Sequence, residues 1–448
     1  MNRRALLRMI AGSVGASVAC ARRPARWRAG AAAVDITPAT EIWMAGYAAR
    51  KRPSQGVALP LFARALALED ANGVRAVLVT ADILGFTDQI AGRVATAAER
   101  RYGLGRAHLL LNASHTHCGP VVDGMLSVAY DLTAEQRDTI HAYSRDLETK
   151  VTGVIGDALG RLQPASLSVG EGSAGFAANR RVDFTPKGPV DHAVPVARVG
   201  GPDDETLAIV FGYACHNTTL GADFVRFHGD YAGVAQAALE RRYPGARALF
   251  VTGCGGDANP KPRGTLALVE QHGRALADVV AKTLTSTTPV SGPLGAAYDT
   301  VDLPFAETPG REVWQSKLQD PDEYVRRHAN LMLAQLQSGR PLPTVQPEPV
   351  QIWRFGSDLT LVALGGEVVV DYSLRLKKTY PHERMWVAGY SNDVFAYVPS
   401  RRVLEEGGYE GGGAMIYYGK PSAFAASVEE RIHDKVNDLM RTVTHAVE

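Results

Sequence analysis

The clearest structural signal in the sequence lies at residues 108–120, which read HLLLNASHTHCGP. The stretch begins as a short apolar run and changes abruptly into a loop of small and polar residues. A short apolar run bounded in this way predicts a buried β-strand. The same pattern recurs along the chain, and strands are predicted over 76–80, 108–112, 207–213, 248–252, 359–364 and 385–388.

Longer segments with helical periodicity separate these runs. They predict helices over 89–102, 134–162, 232–242, 266–284, 323–337 and 423–443. Alternating strands and helices indicate an α/β fold, with a mixed sheet, flanking helices and a metal site at the carboxyl ends of the strands. Residues 165–200 and 295–304 are interpreted as antiparallel additions or loops, and the proline-rich residues 341–349 as a surface loop or connection.

Composition narrows the class of protein. The 448 residues are 46% hydrophobic and 21% charged, which is typical of a large globular chain and excludes disorder, collagen and coiled coil. The first 28 residues contain seven Arg and no acid, so 41 basic and 47 acidic residues remain in the rest of the chain. This mildly acidic remainder has no basic stripe, and we do not expect a nucleic-acid partner. The four cysteines are too scattered for a disulfide framework or a CxxC zinc site.

Residues 1–28 are interpreted as an export signal or lipoprotein-type tether that precedes a single domain over 29–448. Arg3 and Arg4 precede a short stretch of small residues that ends at Val18-Ala19-Cys20. Cys20 is therefore a candidate lipid anchor, and we expect an exported protein that is periplasmic or held at a membrane surface. No uninterrupted apolar run reaches about 18 residues, so we expect no transmembrane helix.

Chemically active side chains follow several of the predicted strands. His115 and His117 follow one strand, His216 follows another, and Glu367 follows a third. The carboxyl ends of strands in an α/β sheet share one edge, so a site of imidazoles and a carboxylate becomes possible there. Such ligands suit zinc with a position left open for water, as in a metallohydrolase. Each His could equally do no more than satisfy hydrogen bonds near a strand end, and the spacing does not decide between the two.

Other chemistries have weaker signals. The sequence contains no Gly-x-Ser-x-Gly motif, which argues against a serine nucleophile of the α/β-hydrolase type. The glycine-rich residues 253–257 lack both the Lys-Ser/Thr of a phosphate loop and the full dinucleotide fingerprint. Cys118, Cys215 and Cys254 lie near candidate site residues, but cysteine is more often a small buried residue than a nucleophile.

Taken together, the motifs resemble the neutral (non-lysosomal) ceramidase family. The most specific of them is the block Ser-His-Thr-His-x-Gly-Pro at 114–120. Further matching motifs are Val34-Asp35-Ile36-Thr37-Pro38, Met44-Ala45-Gly46-Tyr47, Thr80-Ala81-Asp82, Asn179-Arg180, His216-Asn217-Thr218-Thr219, Gly256-Asp257, Gly366-Glu367, residues 392–398 and Tyr409-Glu410-Gly411. The resemblance implies a zinc amidase that cleaves the N-acyl bond of ceramide to release sphingosine and a fatty acid.

The resemblance also implies roles for individual residues. The zinc ligands would be His115, His216, Glu367 and Tyr397, and His117 would lie beside the scissile group. Arg180 and Tyr409 would be polar contacts in the site. Three acids, Asp82, Asp230 and Asp257, are expected to orient the imidazoles, and Asp257 is included among the candidate catalytic residues.

Two departures from the family pattern concern the substrate. Asn259 occupies the position of a serine implicated in family activity, and the chain ends soon after the final predicted helix, without an immunoglobulin-like C-terminal domain. We expect hydrolysis of an amide bond in an N-acylated lipid or a similar acyl conjugate. The alternatives are a zinc-dependent esterase or deacetylase that acts on an acylated sugar, and a non-catalytic lipoprotein that binds a lipid or glycan.

Overall fold

The computed structural model describes residues 27–447. In chain order the elements are β1 (Trp27–Asp35), β2 (Phe62–Asp70), β3 (Arg75–Ala81), α1 (Asp88–Tyr102), β4 (Leu109–Ala113), α2 (Ala134–Gly160), β5 (Gln163–Ser173), β6 (Ala177–Asn179), β7 (Ala193–Gly200), β8 (Thr206–Tyr213), α3 (Asp230–Arg242), β9 (Arg247–Thr252), β10 (Ala258–Pro260), α4 (Leu266–Thr283), β11 (Thr288–Val290), β12 (Leu294–Pro304), α5 (Arg311–Lys317), α6 (Glu323–Gln337), β13 (Val345–Phe355), β14 (Leu359–Leu364), β15 (Glu367–Val368), α7 (Val370–Thr379), β16 (Met385–Ala388), β17 (Tyr397–Val398), α8 (Arg401–Glu406) and α9 (Val428–Val447).

The α/β prediction is confirmed, and the strands pack as two sheets. The larger sheet has the order β4-β3-β2-β1-β5-β7-β8-β9, with β11 paired to β5, and the smaller has the order β12-β13-β14-β16. Apolar side chains between the two sheets form one core, which includes Leu66, Leu78, Val210, Trp353 and Trp386. Helices α1 to α4 cover the outer face of the larger sheet, and α7 and α9 cover that of the smaller one. The sandwich is therefore four layers deep.

The six predicted strands are all present, and their ends agree with the prediction to within one residue. Each is a run of residues buried almost throughout, the pattern that short apolar runs predict for interior strands. Five of the predicted helices start and end within two residues of the prediction. The sixth is displaced, because α9 begins at Val428 rather than at residue 423.

Three features differ from the sequence prediction. Strand β1 begins at Trp27, two residues before the predicted domain boundary, and the buried indole nitrogen of Trp27 donates to Val290 O at 2.9 Å. The proline-rich segment is largely strand, since Pro347 and Pro349 pair with β12. The elements that were not predicted are β1, β2, β10, β11, β15, β17, α5, α7 and α8. The predicted export signal and the candidate anchor Cys20 lie outside the described residues, and no helix among residues 27–447 is long and apolar enough to cross a bilayer.

Hydrogen bonds draw the carboxyl ends of β4, β9 and β16 together. Asn112, near the end of β4, accepts from the backbone nitrogen of Thr252 at 2.9 Å and donates to Gly389 O at 2.8 Å. Isolated bridges join Asn112 to Ser391 and Gly253 to Ala388. Loops that leave these strands therefore start side by side, as the carboxyl-edge argument predicts.

Candidate metal centre

His115 and His117 lie in the loop that follows β4. The backbone at His115 has φ of 59°, a left-handed conformation that residues other than glycine rarely adopt and that is concentrated at functional sites. The segment around His115 is therefore a turn and not an extended strand. The turn nevertheless brings the two rings together, with 3.2 Å between the Nε2 atoms. Both side chains are buried.

The loop after β8 supplies His216, and the short strand β15 supplies Glu367. An isolated bridge between Thr116 and Asn217 ties this loop to the one that holds His115. Glu367 Oε2 lies 2.9 Å from His216 Nε2 and 3.1 Å from His115 Nε2. His115, His216 and Glu367 are more than 100 positions apart in the sequence. Their side chains nevertheless come together in the structure, and all three are buried.

The hydrogen bonds of the imidazoles define which nitrogen carries the proton. His115 Nδ1 lies 2.6 Å from Leu84 O, and His216 Nδ1 lies 2.7 Å from Gly255 O. A carbonyl can only accept, so each Nδ1 is the donor and each Nε2 presents a lone pair in the neutral ring. Burial, followed by the charge of Arg180, lowers the pKa of His216 to about 4, which keeps this ring neutral near pH 7.

Three acceptor atoms therefore converge without a hydrogen between them. The two Nε2 lone pairs and the carboxylate oxygen of Glu367 would repel one another in a buried place unless a cation lay among them. Burial alone would raise the pKa of Glu367, but the proximity of His115 and His216 holds that pKa well below its usual range, so the carboxylate is ionised. The donor set fits a metal ion, and nitrogen and oxygen ligands of this kind suit zinc.

The positions of His117 and Tyr397 allow two different ligand sets. The ligand atoms of His115, His117 and His216 all lie within 4.8 Å of one another, which is one possible metal site. The set implied by the family resemblance replaces His117 with Glu367 and Tyr397. The Tyr397 hydroxyl lies 3.1 Å from His216 Nε2, and the β15–β17 pairing places Tyr397 directly beside Glu367. In contrast to the other two rings, His117 has no hydrogen-bond partner at Nδ1 among the described residues.

Arg180 and Tyr409 lie on the side of the site marked by Tyr397. Arg180 Nη2 donates to the Tyr397 hydroxyl at 2.9 Å, and its Nε donates to Glu410 at 2.7 Å. The Tyr409 ring lies 5.3 Å from the Tyr397 ring, and Tyr409 is 45% exposed. Asn259 faces the same guanidinium, with its oxygen 3.5 Å from Arg180 Nη1. This side therefore offers a fixed cation and hydroxyl groups next to the imidazoles.

The prediction that three acids orient the imidazoles is wrong. Backbone carbonyls hold the rings of His115 and His216, and among residues 27–447 none of the three carboxylates bonds to a site imidazole. Each of these acids accepts hydrogen bonds from other groups. Asp82 accepts from Phe62 N and Arg64, Asp230 from Leu220 N and Tyr231 N, and Asp257 from Val370 N and Asn179.

Asp257 contacts the site through the backbone instead. Its side chain is fully buried, and burial raises its pKa to about 6. Its backbone oxygen accepts from the Arg180 nitrogen at 2.8 Å, and its carboxylate fixes Asn179, the residue before Arg180. The structure thus places Asp257 where it holds the end of β6 and Arg180, which follows it, outside the lining of the cavities at the site.

The cysteines take no part in this arrangement. Cys118, Cys215 and Cys254 are buried free thiols. Burial raises the pKa of the Cys118 thiol to about 12 and raises those of Cys215 and Cys254 as well. A thiol with a raised pKa is a poor nucleophile, which agrees with the prediction that these cysteines are structural.

Two cavities meet at Tyr409. The first, of about 230 Å³, contains the imidazoles of His115 and His117 together with Glu367 and Tyr397, and its remaining wall is mainly apolar. The second, of about 320 Å³, is lined by Arg180, Arg181, Asp183, Phe184, Tyr409 and Glu410. The candidate metal centre therefore has an apolar compartment on one side and a charged one on the other.

Sequence reasoning missed Tyr418, which donates a short hydrogen bond to Glu367 Oε1. The only sequence signal for it is its place in the loop after Tyr409. Sequence reasoning also gave no reason for the glycine at position 46. Its φ is 94°, and a Cβ there would lie 2.4 Å from the His117 ring, so the absence of a side chain makes room for that ring. The glycine at this position is thus explained by its positive φ and by the packing of His117 against it.

Fold and site together define an α/β sandwich protein with a buried histidine and carboxylate centre at the carboxyl ends of its strands. The family model for neutral/alkaline non-lysosomal ceramidase, N-terminal, matches residues 27–267, more than half of the chain. This chain belongs to that family.

Individual relatives give a consistent picture. Neutral ceramidase B of Dictyostelium discoideum is 25% identical over 264 residues, which are 53% of this chain and 36% of the relative. The match thus spans about a third of that relative's length. The crystal structure of neutral ceramidase from Pseudomonas aeruginosa has a TM-score of 0.70 at 21% identity, over 92% of this chain and 75% of that one. A structure titled ceramidase complexed with C2 gives 0.71 at 19%, over 92% and 74%. The solved structures share the fold.

Proposed function

We propose that this protein is a zinc-dependent hydrolase that cleaves the amide bond of an N-acylated lipid or a similar acyl conjugate. The observation that carries the proposal is the meeting of two imidazole lone pairs and a carboxylate oxygen within 3.1 Å in a buried site. Family membership favours the same chemistry. His115, His216, Glu367 and Tyr397 would hold the metal, which supplies Lewis acidity that polarises an acyl carbonyl and acidifies water.

The other residues of the site each have a task in this chemistry. His117 lies beside the ligands and, as a neutral ring, can take a proton from the attacking water and return it to the leaving nitrogen. Arg180 and Tyr409 lie on the opposite side and can donate hydrogen bonds to the oxygen on which negative charge develops. The apolar wall of the first cavity binds the acyl group and excludes water from the reacting bond.

A comparison of matched substrates tests the proposal. Purified full-length protein is given an acyl amide and an acyl ester with the same acyl group, before and after removal of metal with a chelator. We expect amide turnover that the chelator abolishes and added zinc restores. Turnover of the ester but not of the amide would show that the protein is an esterase and would contradict the proposed amidase activity. If a chelator-treated sample without metal retains full activity, the metal mechanism is wrong.

A further inference from the structure

The hairpin of α5 and α6 lies beside the first cavity and has no part in the chemistry proposed above. It packs around a small apolar cluster of its own, Trp314, Ala329, Met332, Leu333 and Leu342, which is separate from the sandwich core. Lys51 and Glu323 form an ion pair of 3.0 Å between the hairpin and the loop that follows β1. The hairpin is thus an appendage that is fixed against the loop after β1.

Helix α6 supports the cavity wall from behind. The Tyr324 hydroxyl donates to Ala48 O at 2.9 Å, and its ring lies 5.3 Å from the ring of Tyr417. Arg327 reaches Ala129 O at 3.5 Å. Ala48, Ala129 and Tyr417 all line the first cavity. One turn of α6 therefore contacts three separate parts of the cavity wall.

The volume of this cavity limits what can enter it. An apolar cavity of about 150 Å³ accommodates benzene, so 230 Å³ accommodates about nine non-hydrogen atoms at the same ratio. A palmitoyl group would need roughly 400 Å³ by that ratio. The part of a longer chain that does not fit would remain in water, where additional methylene groups gain no binding energy.

We infer that α6 sets the length of the acyl group that the site accepts, and that the substrates are amides of short and medium acyl chains, up to about eight carbons. Tyr324 is the specificity-determining residue, because it fixes Ala48 and Tyr417 in the wall that the end of the chain contacts. The inference rests on the proposed function, since it assigns the first cavity to the acyl side of the scissile bond.

A series of N-acyl arylamides from acetyl to dodecanoyl, with one constant amine, tests the inference. Each methylene that enters the cavity raises kcat/KM about fourfold, which corresponds to about 0.8 kcal/mol per buried CH₂. For the wild-type protein we expect this rise up to about octanoyl and a plateau beyond it. A rise that continues unchanged to dodecanoyl would overturn the inference and leave the proposed amidase function intact.

Variants locate the determinant. Tyr324→Ala removes the support behind Ala48 and Tyr417, and we expect it to move the plateau toward dodecanoyl. Ala49→Leu changes an exposed position of the cavity wall, so it disturbs folding less than Tyr324→Ala does. The larger side chain is expected to move the plateau toward shorter chains. Val313→Ala, on the exposed face of the same hairpin, is the matched control and leaves the profile unchanged. An unchanged plateau in both Tyr324→Ala and Ala49→Leu would refute the role of this wall.

Binding of carboxylic acids separates the inference from the proposed function. Calorimetric titration of the wild-type protein with acetate through dodecanoate measures the same chain-length dependence without any turnover. If no amide is cleaved but affinity still rises to about octanoate and then levels, the proposed function fails and the cavity assignment stands. If affinity shows no plateau, the assignment fails whether or not amides are cleaved.

Discussion

Tyr418→Phe tests whether Glu367 must be oriented in order to bind the metal. In the structure Glu367 Oε2 faces His115 and His216, and Oε1 accepts the hydroxyl hydrogen of Tyr418. Among residues 27–447, Tyr418 is the one side chain that donates to Oε1. The Phe variant keeps the ring and removes that donor, so the carboxylate can rotate and Oε2 no longer has a fixed position.

The size of the effect follows from the kind of hydrogen bond that is lost. A hydrogen bond to a charged group contributes about 1.5–3 kcal/mol. At about 1.4 kcal/mol for each factor of ten, metal affinity should fall by roughly 10- to 150-fold. This agrees with the loss of about 10- to 100-fold that is typical when a group that orients a metal ligand is removed.

The assay is competition for zinc between the protein and a chromophoric chelator. Tyr417→Phe is the matched control, because Tyr417 lines the same cavity but does not contact Glu367 through its hydroxyl. We expect weaker zinc binding in Tyr418→Phe and unchanged binding in Tyr417→Phe. Equal affinity in the wild type and in Tyr418→Phe would refute the view that this hydroxyl orients the carboxylate.

Three further predictions concern proton transfer by His117, the loss of stability at acid pH and the contribution of Trp27 to stability. His117→Ala should retain about one equivalent of zinc and lower kcat by about 10²–10⁴; loss of the metal would instead favour the three-histidine ligand set. Burial lowers the pKa of His328 and His433 to about 4 from 6.5, so the unfolded state takes up protons first as the pH falls below 6.5. At pH 5.5 each of these two histidines should lower the free energy of unfolding by up to about 1.4 kcal/mol relative to neutral pH. Urea titrations should show that His433→Gln loses less stability than the wild type over the same pH change. Trp27→Ala should cost about 3–5 kcal/mol in the same assay, and a change below 1 kcal/mol would contradict its place in the core.

The sequence contained the information for most of the central strands because each is a local run of apolar residues. The polar residues that directly follow these strands can also be read from the sequence, and they mark the edge of the sheet where the site lies. This is why His115, His216 and Glu367 were predicted to lie together. Strand β1 was missed because WRAGAAAVD consists largely of small residues without strong alternation. Its burial comes from pairing with β2 along its full length, which is a tertiary effect.

The partners of the site side chains could not be read from the sequence. The carbonyls of Leu84 and Gly255 orient the imidazoles, and a backbone acceptor leaves no signal in residue type. Tyr418 reaches Glu367 across 51 residues by way of an irregular loop. The carboxylate of Asp82, which was predicted to orient an imidazole, instead accepts from Arg64, 18 positions earlier in the chain.

Metal analysis of the purified protein tests the central claim most directly. We predict about one equivalent of zinc in the wild type and loss of that zinc in His115→Ala, because the variant lacks one of the converging lone pairs. His141→Ala, at a half-exposed histidine that lies 3.2 Å from Asp123 and contacts none of the proposed ligands, is the control and should keep its metal. A wild-type protein with less than about half an equivalent, or an unchanged zinc content in His115→Ala, would contradict the assignment of a metal centre.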